Sequence, residues 1–167
     1  MSETKSTEAE RIEQLHQLGL LDTSDETRFR CCVVEALKIF PGATIAAVTM
    51  VDVDRQWSKS IIGSDVRESP RSSSFCSHTI EGSGVMVVED ASVDPRFIAN
   101  PWVTGTSHLR FYAGVKLVHR VGALCVMSDV PRRATKAEVG KLLTLARFVD
   151  IQLLAFGTLH NLGAASA

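Results

Sequence analysis

Eight consecutive residues, Thr44 to Val51 (T-I-A-A-V-T-M-V), are almost all apolar and rich in β-branched side chains, with Pro41-Gly42 before them and Asp52 and Asp54 after. Such a strand has no face to offer water, so it belongs at the centre of a sheet covered on both sides. The cover must come from the rest of the 167 residues. That length suits one domain and is too short for two cores. Upstream, Ile12, Leu15 and Leu18 recur at three-residue spacing before Gly19, which predicts a helix over 6–18 with its other face charged. A second helix is expected to start after Asp22, Thr23 and Ser24, with Phe29, Cys32, Val33, Ala36, Leu37 and Phe40 forming one apolar stripe up to the Pro-Gly stop.

After the central strand, Gln56 to Ile62 alternates less cleanly and reads as the partner in a hairpin, nearer an edge. The segment 63–74 reads as a surface loop and Val85 to Val88 as a third strand. Residues 90–108, holding Pro95, Pro101 and Gly105, are too punctuated for a long element, and an irregular stretch of that length is commonly functional. Leu109 to Val118 and Val121 to Met127 read as two more strands, joined tightly at His119 and Arg120. Thr135 and Glu138 form a capping box. The helix it opens carries Val139, Leu142, Ala146, Val149, Leu153 and Phe156 at spacings of three and four, a seam suited to another helix, with Leu143, Ile151 and Leu154 as a second apolar line. This order lacks the βαβ alternation of a nucleotide-binding fold and predicts an α+β domain, an antiparallel sheet with helices on its faces.

Charge and cysteine usage narrow the function. Eighteen Lys and Arg against nineteen Asp and Glu give a net charge of −1, without the basic footprint of a nucleic-acid binder. The start of the chain is polar and acidic, unlike a secretory signal, and the apolar stretch Phe40 to Val51 is too short to span a bilayer. The four cysteines, adjacent Cys31 and Cys32 plus Cys76 and Cys125, contain no C-x-x-C. They read as reduced thiols of a soluble cytoplasmic protein, with no metal site and no cofactor expected.

Three clusters are candidates for a site. In S-S-F-C-S-H-T-I, Cys76 and His78 share a face if the segment is a strand and diverge by about 200° if it is a helix. The first arrangement would give a nucleophile or two metal ligands, whereas the second is a helical turn capped by Ser74. In E-D-A-S-V-D-P-R-F, Arg96 could hold an anion, or pair with Asp90 to fix its own loop. In R-F-Y-A-G, alternation sends Arg110 and Tyr112 to one side, and Gly114 reads as a place where backbone approaches closely. No phosphate-cradling glycine loop, H-E-x-x-H or G-x-S-x-G occurs.

Several of these segments resemble GAF domains of bacterial signalling proteins: E-A-E-R-I-E-Q-L-H-Q-L-G-L-L-D-T, S-P-R-S-S-S-F-C-S-H-T-I, V-V-E-D-A-S-V-D-P-R-F-I-A-N-P-W-V-T-G, L-R-F-Y-A-G-V-K-L and G-A-L-C-V-M-S-D-V-P-R-R-A-T. The resemblance covers residues 8–154. It implies one GAF domain over 8–160 between disordered tails at 1–7 and 161–167, with a sheet of five or six strands. The implied pocket candidates are Phe75, Cys76, His78, Asp94, Arg96, Phe97, Arg110 and Tyr112. The implied role is a regulatory domain that is not an enzyme, binds an unknown small molecule, and signals to a histidine kinase or diguanylate cyclase output domain in cis or in trans. A homodimer through Ile12, Leu15, Leu142, Val149 and Leu153 is expected, with no nucleic acid and no membrane. Two alternatives stand beside it: a thiol-dependent enzyme using Cys76 or Cys125, resembling the GAF-type methionine sulfoxide reductases, and a ligand-free interaction module. Departures from the family pattern are Lys116, where proline is usual, and a short hairpin at Val118 to Gly122, which is expected to shrink or close the cavity.

Overall fold

The computed structural model describes residues 6–166. Helix α1 spans Glu8–Gln17 and opens on a capping box between Thr7 and Glu10. Its charged face is not all solvated. Arg11 is fully buried, donates to the Val51 carbonyl at 2.6 Å and pairs with Glu8 at 2.8 Å, so a cation clamps α1 to the end of the central strand. Helix α2, Thr27–Ile39, buries Phe29, Cys32, Val33 and Ala36 as its stripe predicts. The expected caps are used elsewhere: Thr23 and Ser24 accept from the Lys59 ammonium at 2.8 and 2.6 Å.

There follow β1 (Ile45–Val51), β2 (Arg55–Ile62), β3 (Glu68–Pro70), α3 (Phe75–Glu81), β4 (Val85–Val88), the one-turn α4 (Pro101–Thr104), β5 (Phe111–Lys116), β6 (Gly122–Ser128) and α5 (Lys136–Ala165). The six strands form one antiparallel sheet in the order β3-β2-β1-β6-β5-β4. The fold class is therefore α+β as expected, with β1 at the centre beside β6. One face carries α1, α2 and α5 over a core that includes Leu15, Phe29, Phe40, Met50, Phe111 and Leu142. The other is roofed by α3, α4 and the connecting loops over Phe75, Ile80, Phe97, Tyr112 and Cys125.

Some expectations are corrected. The segment 63–74 is not all loop, because β3 extends the sheet at the β2 edge. Leu15, Leu142, Val149 and Leu153 cannot form a dimer seam, since each is fully buried in the core of its own domain, while Ile12 is half-buried. The C-terminal tail expected over 161–167 is helical to Ala165, where α5 ends. Residues 6 and 7 are ordered at the start of α1, and residues 1–5 of the expected N-terminal tail lie outside the described residues. The longest apolar segment is α5, not Phe40 to Val51. Its 30 residues are long and apolar enough to cross a bilayer by length and composition, which for one helix is weak evidence, and its inner line packs on the sheet.

Leu153 and Leu154 are sequence neighbours with opposite surroundings, fully buried and 44% exposed. Leu153→Ala is expected to cost about 2–5 kcal/mol and Leu154→Ala about 0.5 kcal/mol or less in urea unfolding. Equal costs would contradict the packing described.

Candidate functional site

The loop-covered face of the sheet contains a cleft of about 250 Å³. Its floor is sheet: Ala47 and Thr49 from β1, Ser58 and Ile61 from β2, Tyr112 from β5 and Met127 from β6. Its wall is the turn before α3 with Phe75 and Cys76, and Trp102 and Leu109 close the side. Local capping explains the wall. Ser74 accepts from the Ser77 amide at 2.9 Å, starting α3, and donates to Gln56 at 2.6 Å, tying that start to β2. Asn100 accepts from the Trp102 amide at 2.9 Å and donates to the Ser73 carbonyl at 3.1 Å, so α4 is fastened to the same turn.

Because α3 is a helix, Cys76 and His78 diverge. Cys76 points down onto the sheet, where its Sγ lies 3.8 Å from Cys125 Sγ and accepts from the Tyr112 hydroxyl at 3.3 Å. The Tyr112 oxygen is also 2.7 Å from Thr79 Oγ1. Hydrogen bonds from Cys125, and then from Thr49 and Tyr112, hold the Cys76 thiol below its ordinary range against the opposing effect of burial. Cys125 is pushed well up, by its bond to Cys76 and by burial. The pair is thus polarised, with an acidic thiol on the cleft wall and a reluctant one behind it.

The other expected residues are placed differently. Phe97 stacks on Phe75 at 3.9 Å, and His78 meets Phe97 edge-on at 4.8 Å, its imidazole pKa lowered by burial and then by Arg96. Arg96 pairs with Asp94 at 2.6 Å, where an Asp90 partner was expected, and Asp90 accepts instead from Ser92. Arg110 donates to the carbonyls of Val103 and Leu109 at 3.0 and 2.9 Å. Of the eight pocket candidates, then, Phe75, Cys76 and Tyr112 line the cleft; Phe97 backs it, and His78, Asp94, Arg96 and Arg110 lie outside the lining. Gly114 accommodates a side chain rather than backbone, since a Cβ there would fall 2.2 Å from the Tyr112 hydroxyl. The sequence reading missed Thr49, Ser58, Trp102 and the partnership of Cys125. A polar Thr49 inside an apolar strand was the available signal.

Comparison with known proteins places this geometry. The GAF domain of an Acinetobacter phosphoenolpyruvate-protein phosphotransferase superposes with a TM-score of 0.63 at 16% identity, covering 90% of this chain and 97% of that one. The chain has the GAF fold. The free methionine-R-sulfoxide reductase of Neisseria meningitidis shares it, with a TM-score of 0.60, 22% identity, and 93% and 96% of the two chains covered. In sequence, a cyclic di-GMP phosphodiesterase of Pseudomonas aeruginosa is 39% identical over 147 residues, which is 85% of this chain and 25% of that protein. The chain therefore spans about a quarter of the length of the curated relative it matches. No family model matches it.

These findings correct one expectation outright. The expectation of a domain that is not an enzyme is overturned, because its sequence relative is named an enzyme and the GAF fold it adopts is also that of reductases. The structure corrects the expectation for the short hairpin as well. Val118–Arg120 is a tight turn with His119 and Arg120 both at positive φ. It lies at the α1 end of the sheet, where Arg11 reaches toward the Arg120 carbonyl and Arg120 donates to Ser6 at 2.7 Å. The cleft is at the opposite end of β1 and β6, lined by Ile45 and Ser128, so shortening the hairpin does not close it.

Tyr112 is the only tyrosine in the chain. Burial first, and the neighbouring thiols Cys76 and Cys125 next, push its phenol well above its ordinary value. A raised folded pKa contributes stability that is present below the unfolded pKa of about 10 and is lost as pH rises past it. Near-ultraviolet absorbance is expected to show no phenolate until the domain unfolds in alkali, and a reversible transition near pH 10 in folded protein would contradict the buried hydroxyl chain.

Proposed function

We propose that this GAF domain forms part of an enzyme of cyclic di-GMP turnover and that its cleft holds a small, uncharged polar molecule. The observation that carries this reading is the 39% identity to the phosphodiesterase along 147 residues. The lining supports the ligand class: it offers the hydroxyls of Ser58 and Ser69 beside Trp102 and Phe75, and it includes no Lys or Arg. Phosphate groups are recognised by such cations. Cyclic di-GMP is accordingly assigned as substrate of the longer enzyme rather than as occupant of this cleft, and the output partner is a phosphodiesterase rather than a kinase or cyclase. Four free thiols suit a cytoplasmic setting.

A domain swap tests the reading. This chain replaces the matched segment of the Pseudomonas aeruginosa enzyme, and cyclic di-GMP hydrolysis is measured with and without Ser58→Phe, which fills the cleft. Retained hydrolysis that the plug changes by about five-fold or more is expected, as for ordinary coupling between sites. A folded chimera with no hydrolysis, or with a rate indifferent to the plug, would overturn it. A second reading, a thiol-dependent enzyme, is favoured by the 3.8 Å approach of Cys76 and Cys125. It predicts methionine formation from free methionine-R-sulfoxide in the presence of dithiothreitol, abolished by Cys76→Ser.

The homodimer is assigned to a different face of α5 from the one its inner periodicity indicated. Phe148, Ile151, Leu159 and Leu162 are exposed at spacings that keep them along one side of the helix, with Ala155 between them. Sedimentation is expected to give a dimer for the wild type and a monomer for Phe148→Glu combined with Ile151→Glu, and an unchanged mass would remove this interface.

A further inference from the structure

We propose that Cys76 and Cys125 form a redox-active dithiol which a small hydroperoxide, entering through the cleft, converts to an intramolecular disulfide that alters what the cleft holds. This goes beyond the ligand reading, because the oxidation needs only access to Cys76 and stands whether or not a signalling ligand binds.

Three observations carry it. The sulfurs are 3.8 Å apart without a bond, and closing to a disulfide at about 2.05 Å requires less than 2 Å of further approach. Their placement is ordered: Cys76 is part of the cleft lining, whereas Cys125 lies behind it, fully buried on β6, so a reagent in the cleft meets Cys76 first. The environment is suited to a neutral oxidant, with a lining of hydroxyls and apolar groups whose single charge is Asp129. Hydrogen bonds from Cys125, Thr49 and Tyr112 favour the thiolate on Cys76, the form that attacks, while the raised Cys125 stays protonated until it is needed.

The chemistry balances with the hydroperoxide as oxidant. The Cys76 thiolate attacks the outer peroxide oxygen, the O–O bond breaks, and the departing alkoxide or hydroxide takes up the proton that Cys76 gave away. Cys76 is then a sulfenic acid. The Cys125 sulfur attacks it, the S–S bond forms, and the lost hydroxide leaves as water with the Cys125 proton. Two thiols and one hydroperoxide thus give one disulfide, one alcohol or water, and one further water. An external dithiol such as dithiothreitol reverses the product by exchange. In the cleft, the disulfide ties α3 to β6 and turns the sulfur that accepts from the Tyr112 hydroxyl into a weaker, shifted acceptor, next to the floor residues Thr49 and Tyr112.

The remaining thiols supply the background. Cys31 is exposed on α2, and Cys32 donates to the Arg28 carbonyl of its own helix, both on the far side of the sheet. The experiment therefore uses the full chain carrying Cys31→Ser and Cys32→Ser, treated at neutral pH with hydrogen peroxide in one arm and tert-butyl hydroperoxide in the other. Loss of both free thiols is expected, with a mass lower by two hydrogens, no covalent dimer on a non-reducing gel, a change in Trp102 emission, and full reversal by dithiothreitol. Adding Cys125→Ser, or Cys125→Ala if the serine misfolds, is expected to stop the reaction at a dimedone-trapped sulfenic acid on Cys76. Reaction in the hydrogen peroxide arm alone would restrict the oxidant to the smaller source within the same proposal. Two thiols that survive excess peroxide in both arms, or oxidation found only as disulfides between chains, would overturn it.

Discussion

A sheet covered on both faces leaves its central strands without water, and the rest of this domain follows from that constraint. Among the described residues β1 and β6 lie between the α1, α2 and α5 layer and the α3 and α4 layer. Any polar side chain they carry must find its partner in protein, because a buried donor or acceptor left alone costs about 1–3 kcal/mol. Thr49 meets this by donating to the Ala123 carbonyl at 3.3 Å across the strand pair. Arg11 does so at the strand end, on the Val51 carbonyl.

The same constraint produces the chemistry of the cleft. Thr79, Tyr112, Cys76 and Cys125 come from α3, β5 and β6, and each satisfies the next: hydroxyl to hydroxyl at 2.7 Å, hydroxyl to sulfur at 3.3 Å, sulfur to sulfur at 3.8 Å. In water such bonds would be worth little. In a buried chain each polarises its neighbour, and the asymmetry between the two thiols follows, with side-chain donors converging on Cys76, while Cys76 and burial together outweigh the one opposing backbone hydrogen bond, from Ala47, on Cys125. Packing that serves stability has thereby prepared one sulfur for attack and another to resolve it.

Much of this architecture is legible in local sequence because local rules govern it. Thr44 to Val51 is a central strand since nothing in it tolerates solvent, and Ser74 and Thr135 start helices because their hydroxyls cap free amides. The inner line of α5 is equally legible, but its partner is not: spacings of three and four fit any apolar surface, and the surface present is the domain's own core rather than a second copy. The cleft was only half readable. Cys76 announces itself in a distinctive motif, whereas Cys125 is one more apolar residue in G-A-L-C-V-M, and only the pairing of β6 with β5, Gly114 opposite Cys125, brings it next to Tyr112 and under α3. Contacts among three separated elements leave no periodicity to detect.

The imperfect alternation of Gln56 to Ile62 is the instructive failure. Thr49 pairs with Ser58 and Val48 with Ser60, so Lys59 is an extra residue, a bulge that shifts the phase of everything after it. Without it, Ile61 would face the helices and Ile62 the cleft; with it, Ile61 lines the cleft and Ile62 joins the helix-side core. The inserted residue has its own place there: fully buried, its ammonium bonds Glu26 at 3.0 Å and lies between the rings of Phe29 and Phe156 at 5.3 and 4.9 Å. Ser58 on the cleft floor and a cation that touches α5 through Phe156 are thus consecutive residues on one strand. A displacement of β2 that accommodates a ligand at Ser58 must either be absorbed at the bulge or move Lys59 against Phe156, and the second outcome is how a change in the cleft would reach the terminal helix through packing alone.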